Sequence, residues 1–156
     1  MGVVGIIILA GLAAALLYVM WSDLRTRTIP NGLNAAIALA APLWWFAQGL
    51  PLWPDAAIQI ALAAGVFALF AACFAIGAMG GGDVKLLAAL ALWLPPIPMV
   101  RMLMVMAIAG GVLTIAMVVL HRARKAEGRP EIPYGVAISL AGLWALTNHI
   151  LTTPAA

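Results

Sequence analysis

Residues 56–85 read AAIQIALAAGVFALFAACFAIGAMGGGDVK, and this stretch decides the fold. From Ala56 to Ala78 it carries no charge, one glutamine, and otherwise small or apolar residues. A helix crossing the roughly 30 Å hydrocarbon core needs about 20 apolar residues at about 1.5 Å each. The run meets that length. It then stops at Gly80-Gly81-Gly82, followed by Asp83, Val84 and Lys85. A spanning helix closed by a glycine-rich, charged turn is the unit from which the chain is built.

Working outward, the same length test predicts about six segments. They run near Val3–Trp21, Leu33–Gly49, Ala56–Ala78, Gly82–Pro95, Pro98–Leu120 and Tyr134–Leu151. Asn31 after Pro30, and Asp55 after Pro54, are the expected N-caps of the second and third. The predicted class is all-α: a polytopic membrane protein forming one transmembrane domain over residues 1–156. The fourth segment is short for a full span. Irregular backbone at membrane depth is tolerated only where protein buries it or where it lines a water-filled cavity. A short helix opening on a glycine run therefore points to a site.

Composition agrees. Of 156 residues, 66% are hydrophobic and 8% charged, where a soluble domain carries about a quarter charged. The net charge of +3 sits in short clusters between apolar runs, which excludes a nucleic-acid-binding surface. Arg25, Arg27, Lys85, Arg122, Arg124, Lys125 and Arg129 all fall in loops on one side of a six-segment arrangement. On the other side Arg101 is the single basic candidate. The positive-inside rule assigns the basic side to the cytoplasm and both termini to the outside. Trp44, Trp45, Trp53 and Trp93 lie near segment ends, where an interfacial aromatic belt is expected. The lone cysteine, Cys73, permits no disulfide framework and reads as a lipid- or core-facing residue. Val3–Trp21 has no basic segment before it and exceeds a signal-peptide core, so it reads as a retained first helix. Nothing in the pattern sets an oligomeric state.

The chain has five acidic residues. Asp55 falls on the outer side, and Glu127 and Glu131 sit among basic residues in the polar loop. Asp23 and Asp83 differ: each lies where an apolar segment meets a cytoplasmic loop, at similar depth. Ionisable groups at such positions are costly and point to function. Two carboxylates brought close share a proton. The ionised one can take a proton from water while the protonated one polarises a carbonyl and donates to a leaving amine. His121 and His149 lie on opposite halves of the bilayer and cannot form a metal site together. The glycines before Asp83 allow positive φ and close approach of another chain. Each stretch alone also has a plain reading: a glycine turn with a capping aspartate, and a charged stop after the first helix.

Taken together the motifs resemble the type IV prepilin peptidases, membrane aspartyl peptidases of the GxGD kind. The matching residues are Asp23 with Ile29-Pro30-Asn31, Gly80 to Lys85, and Pro133-Tyr134-Gly135-Val136-Ala137-Ile138. The resemblance implies Asp23 and Asp83 as the catalytic pair. Gly80, Gly81, Gly82 and Lys85 would shape the loop or meet substrate, and Tyr134 and Gly135 would position the last helix. It implies cleavage of the short basic leader of a single-span pilin precursor at the cytoplasmic face of a bacterial inner membrane. Membrane lipid is the other partner, and no metal or cofactor is needed. The paired cysteines that accompany methylation in larger members have no counterpart here. The chain thus looks like the peptidase-only form of tight-adherence pilus systems, without methyltransferase activity; archaeal preflagellin peptidases are a related match. Three other classes use the same residues or the same setting. They are a small ion- or proton-coupled transporter, an inactive assembly factor, and a GxGD protease cutting within the bilayer. The alanine-rich stretches Ala35–Ala41 and Ala61–Ala72 allow close helix approach, by substrate or by the enzyme's own helices.

Overall fold

The computed structural model describes residues 2–123 and 132–152. They form α1 (Val3–Thr26), α2 (Asn31–Ala47), α3 (Ala57–Ala75), α4 (Gly81–Ala91), α5 (Pro96–Ala123) and α6 (Tyr134–Thr152). There is no strand among the described residues. Arg124, Lys125, Glu127, Arg129, Glu131 and the His149 side chain lie outside the described residues. Three stretches, Val3–Thr26, Leu52–Ala75 and Pro96–Ala123, are long and apolar enough to cross a membrane. Met104, Ile108, Val112, Ile115 and Val119 are exposed along α5. That outward apolar surface suits lipid rather than water. The protein is an all-helical membrane protein.

Several helix ends depart from the expected ones, each for a local reason. The first helix runs past Trp21 to Thr26, so Ser22 and Asp23 belong to its last turns. The Thr26 hydroxyl donates to the Ser22 carbonyl at 2.9 Å, and Arg27 ends the helix in the left-handed region at φ 53°. Asn31 is the first residue of α2 rather than its cap. Pro30 holds the cap position, and its carbonyl accepts the amides of Leu33 and Asn34. Asp55 caps nothing either; it lies in a kinked segment, Leu52–Ala56, in which Trp53 is extended and which leads into α3. The fifth helix starts two residues early because Pro96 at the first helical position has no amide to satisfy.

The bundle is organised around its shortest member. α4 has 11 residues and packs against α2, α3 and α6. Leu86, Leu87, Leu90 and Ala91 are fully buried. α1 rests on α2 and α6, while α5 rests on α6. The first and last turns of any helix leave backbone groups without partners, and lipid offers none. A side chain from α2 supplies one at the C-terminal end, and another bonds to a carbonyl of the first turn. Asn34 Nδ2 donates to the Gly82 carbonyl at 3.1 Å, and Trp45 Nε1 donates to the Leu92 carbonyl at 2.7 Å.

This corrects the aromatic-belt expectation. Trp44 and Trp93 are buried and stack with ring centres 6.4 Å apart. The Trp93 Nε1–H donates to the Ile37 carbonyl at 3.0 Å. Their indoles join α2 to α4 inside the bundle, and only Trp53 of the four is largely exposed. Replacing a buried tryptophan by alanine costs on the order of 3–5 kcal/mol. Trp93→Ala is therefore expected to lower the thermal transition of the detergent-solubilised protein by many degrees. Trp53→Ala should leave it nearly unchanged in the same assay.

Candidate active site

The site is built at one end of the bundle, where the C-terminus of α1 meets the N-termini of α4 and α6. Asp23 lies on the inner face of α1 and is 5% exposed. The chain after it is folded back over the helix end. The Ser22 hydroxyl donates to the Thr28 carbonyl at 2.9 Å, and the Thr26 and Thr28 hydroxyls are 2.7 Å apart. This fold-back brings Ile29 against Gly82, where a Cβ on the glycine would sit 3.2 Å from the Ile29 Cβ.

Each carboxylate rests on a helix N-terminus. Asp83 is the third residue of α4, and its side chain turns back onto the Gly80 amide. Asp23 meets the first turn of α6, where the amides of Gly135 and Val136 face its carboxylate. Helix N-termini favour negative charge through their unpaired amides and aligned peptide dipoles. The Asp23 Oδ2 is buried and has no hydrogen-bond partner. The Arg27 guanidinium also acts on Asp23.

The two aspartates line a single cavity of about 460 Å³, together with Arg27, Met79, Gly80 and Tyr134. Sixty residues separate them in sequence, so this meeting is the work of tertiary packing. Among the described residues no group of three or more His, Cys, Asp or Glu could hold a metal ion.

The glycines act differently from expectation. Gly80 has φ −74°, and Gly81 and Gly82 open α4, so none of the three uses positive φ. Positive φ falls instead on Gly77, at 74°, where α3 turns toward α4. What Gly80 and Gly82 provide is close approach. A Cβ on Gly80 would lie 2.9 Å from Asp83 Oδ2. Gly135 does the same for the other carboxylate, since its Cβ would lie 2.8 Å from Asp23 Oδ2. Lys85 points away from the cavity, and its Nζ donates to Asn31 Oδ1 at 2.8 Å. With the Asn34 bond to Gly82, this pins the Gly80–Lys85 turn onto the start of α2.

A family model, the type IV leader peptidase family, matches residues 10–117. The chain belongs to that family. The matched region begins in α1, contains Asp23, Asp83 and the whole of α4, and ends in α5. The chain is also similar to two curated proteins named prepilin leader peptidase/N-methyltransferase, from Burkholderia pseudomallei strains 1026b and K96243. Each is 31% identical over 142 residues, covering 85% of this chain and 43% of the relative. The chain thus spans less than half the length of these relatives. No solved structure matches it significantly. Family membership supports a peptidase.

Sequence reasoning missed Arg27, Asn34 and the contact between Gly135 and Asp23. Arg27 and Asn34 were hidden among residues with ordinary loop and helix readings. Gly135 stood in a motif but looked like a packing residue. A misplacement of about 1 Å at reacting groups can cost on the order of 100-fold in rate. Gly135→Ala must push the Asp23 carboxylate aside, so it is expected to cut peptidase activity by that order. The check is substrate cleavage at matched membrane levels of both proteins.

Proposed function

We propose that the chain is an aspartyl endopeptidase that removes the short basic leader of a single-span pilin precursor. The observation that carries this reading is that Asp23 and Asp83 line one cavity at one end of the bundle. Family membership supports the peptidase class, and the names of the two relatives suggest the prepilin substrate.

A water held between the carboxylates is the nucleophile. Two carboxylates in one cavity share a single proton, because both cannot easily carry charge. The ionised carboxylate takes a proton as the water oxygen bonds to the scissile carbonyl carbon. The protonated carboxylate hydrogen-bonds to the carbonyl oxygen and stabilises the tetrahedral intermediate. As the C–N bond breaks, a carboxyl proton passes to the leaving amine. The products are a free leader carboxylate and a new amino terminus on the pilin. The helix N-termini at Gly80 and Gly135 hold both carboxylates in place through this cycle.

The basic residues at the same end of the bundle as the cavity, Arg25, Arg27 and Lys85, support a site on the cytoplasmic side of the inner membrane, with both termini outside. The whole chain acts as one transmembrane peptidase domain in this reading. The relatives' names combine two activities. We assign this chain hydrolysis alone, in keeping with its single cysteine, Cys73, on α3.

The test is cleavage of a co-expressed pilin precursor by the wild type, Asp23→Asn and Asp83→Asn at equal membrane levels. Residues acting as a unit are strongly non-additive. Each single change is therefore expected to abolish leader removal, and the double change to do no more. Cleavage persisting in either single variant contradicts the dyad. Transfer of a labelled methyl group from S-adenosylmethionine to the cleaved pilin would contradict the assignment of hydrolysis alone.

A further inference from the structure

Arg27 ends α1 in the left-handed region, at φ 53° and ψ 30°. No other non-glycine residue among the described residues has a positive φ. Helices commonly close on a residue in this conformation, and glycine or asparagine fills the place because a larger side chain crowds the backbone there. Here the place holds a long side chain with a permanent charge. The Arg27 amide donates to the Asp23 carbonyl at 3.1 Å, so the turn closes on an aspartate of the dyad. The fold-back of Thr28 onto Ser22 and Thr26 keeps the turn in place.

The two arginines at this helix end go different ways. Arg25 lies over the Trp21 ring, 5.4 Å from its centre, and that ring is exposed on the outer face of α1. Arg27 lines the dyad cavity with Asp23 and Asp83, and it is the one cation among the described residues that do so. Its guanidinium makes no hydrogen bond or ion pair among the described residues, so its donors are open to a bound group. The backbone amides at the site are taken. Those of Gly135 and Val136 face Asp23, and that of Gly80 faces Asp83. Besides the aspartates, the remaining side-chain donor on the cavity wall is the Tyr134 hydroxyl, which is neutral.

We infer that Arg27 is a third catalytic residue, whose guanidinium donates to the scissile carbonyl oxygen and stabilises the negative charge that grows there as water adds. The inference rests on the peptidase reading above. No bond forms to Arg27, and it keeps its proton throughout. The proton of the attacking water goes to the ionised carboxylate, and the leaving amine takes its proton from a carboxyl group. A fixed donor aimed where charge develops favours the transition state over the bound substrate. A cation also suits a helix C-terminus through the peptide dipoles. That role needs no place in the cavity, and Arg25 fills it equally well.

The test uses the whole chain in detergent and a single-span precursor with a short basic leader. Arg27→Gly removes the guanidinium and suits the left-handed turn better than arginine does. Its thermal transition is expected to equal or exceed that of the wild type, while kcat falls about 100-fold with KM nearly unchanged. Millimolar guanidinium ion should restore part of that kcat and leave the wild type unaffected. Arg25→Gln removes an equal charge from the same helix end and should keep the wild-type kcat. Arg27→Asn, which also tolerates the left-handed region, carries the same expectations should Arg27→Gly fail to reach the membrane. An unchanged kcat in these Arg27 variants, with Asp23→Asn and Asp83→Asn inactive, overturns the role of Arg27 and leaves the peptidase reading standing. A loss of kcat that tracks a lowered thermal transition overturns it too, as does a loss carried by KM alone. A wild type that cuts no precursor overturns the peptidase reading itself.

Discussion

A helix of 11 residues covers about 16 Å, roughly half of a hydrocarbon core. α4 nevertheless sits at the centre of the bundle with most of its side chains buried. Side chains of α2 hold it at both ends, and at its C-terminal end one of them partners an otherwise unpaired carbonyl. Asn34 meets the Gly82 carbonyl at one end and Trp45 meets the Leu92 carbonyl at the other. Both donors come from α2, so α2 holds α4 at both of its ends. The stacked indoles of Trp44 and Trp93 fill the space between them. With α4 fixed at this depth, its N-terminal turn carries Asp83 into position facing α1 and α6.

The arrangement of charge follows from that placement. Burying a carboxylate costs several kcal/mol when water is withdrawn. A helix N-terminus returns about 1–2 kcal/mol in a partly buried setting. Two carboxylates set on two N-termini are thus steadied but remain under-compensated. Such groups gain from sharing a proton and from holding a water, which is the condition for general acid–base work. Close approach is the other requirement, and Gly80 and Gly135 meet it by having no Cβ where a carboxylate oxygen must sit. The glycines of this site serve distance more than backbone rotation.

Much of the architecture was legible in the sequence because lipid imposes a length and a polarity on every segment. The order of the helices, the all-α class and the placement of Asp23 and Asp83 at segment ends on one side follow from apolar run lengths and the positions of charges. Helix ends were less legible. Asn31 and Asp55 have the chemistry of caps, yet Pro30 holds one cap position and Asp55 lies in the kinked segment before α3. The tryptophans show a similar limit. Nearness to a segment end suggests an interfacial ring, but Trp93 finds the Ile37 carbonyl inside the bundle. Lys85 was legible as part of a motif, while its partner Asn31 emerges only when α2 and α4 lie side by side. These are facts of packing between segments far apart in sequence, and local pattern does not encode them.

The central claim is that Asp23 and Asp83 face one shared cavity in the membrane-embedded protein. The most direct test is to replace both by cysteine in a Cys73→Ser background and treat native membranes with a short bifunctional thiol reagent. Cysteines at 34 and 82, whose side chain and backbone meet across α2 and α4, serve as the positive control. The account predicts an intramolecular crosslink between positions 23 and 83 as efficient as the control. A control pair that crosslinks while positions 23 and 83 do not would contradict it.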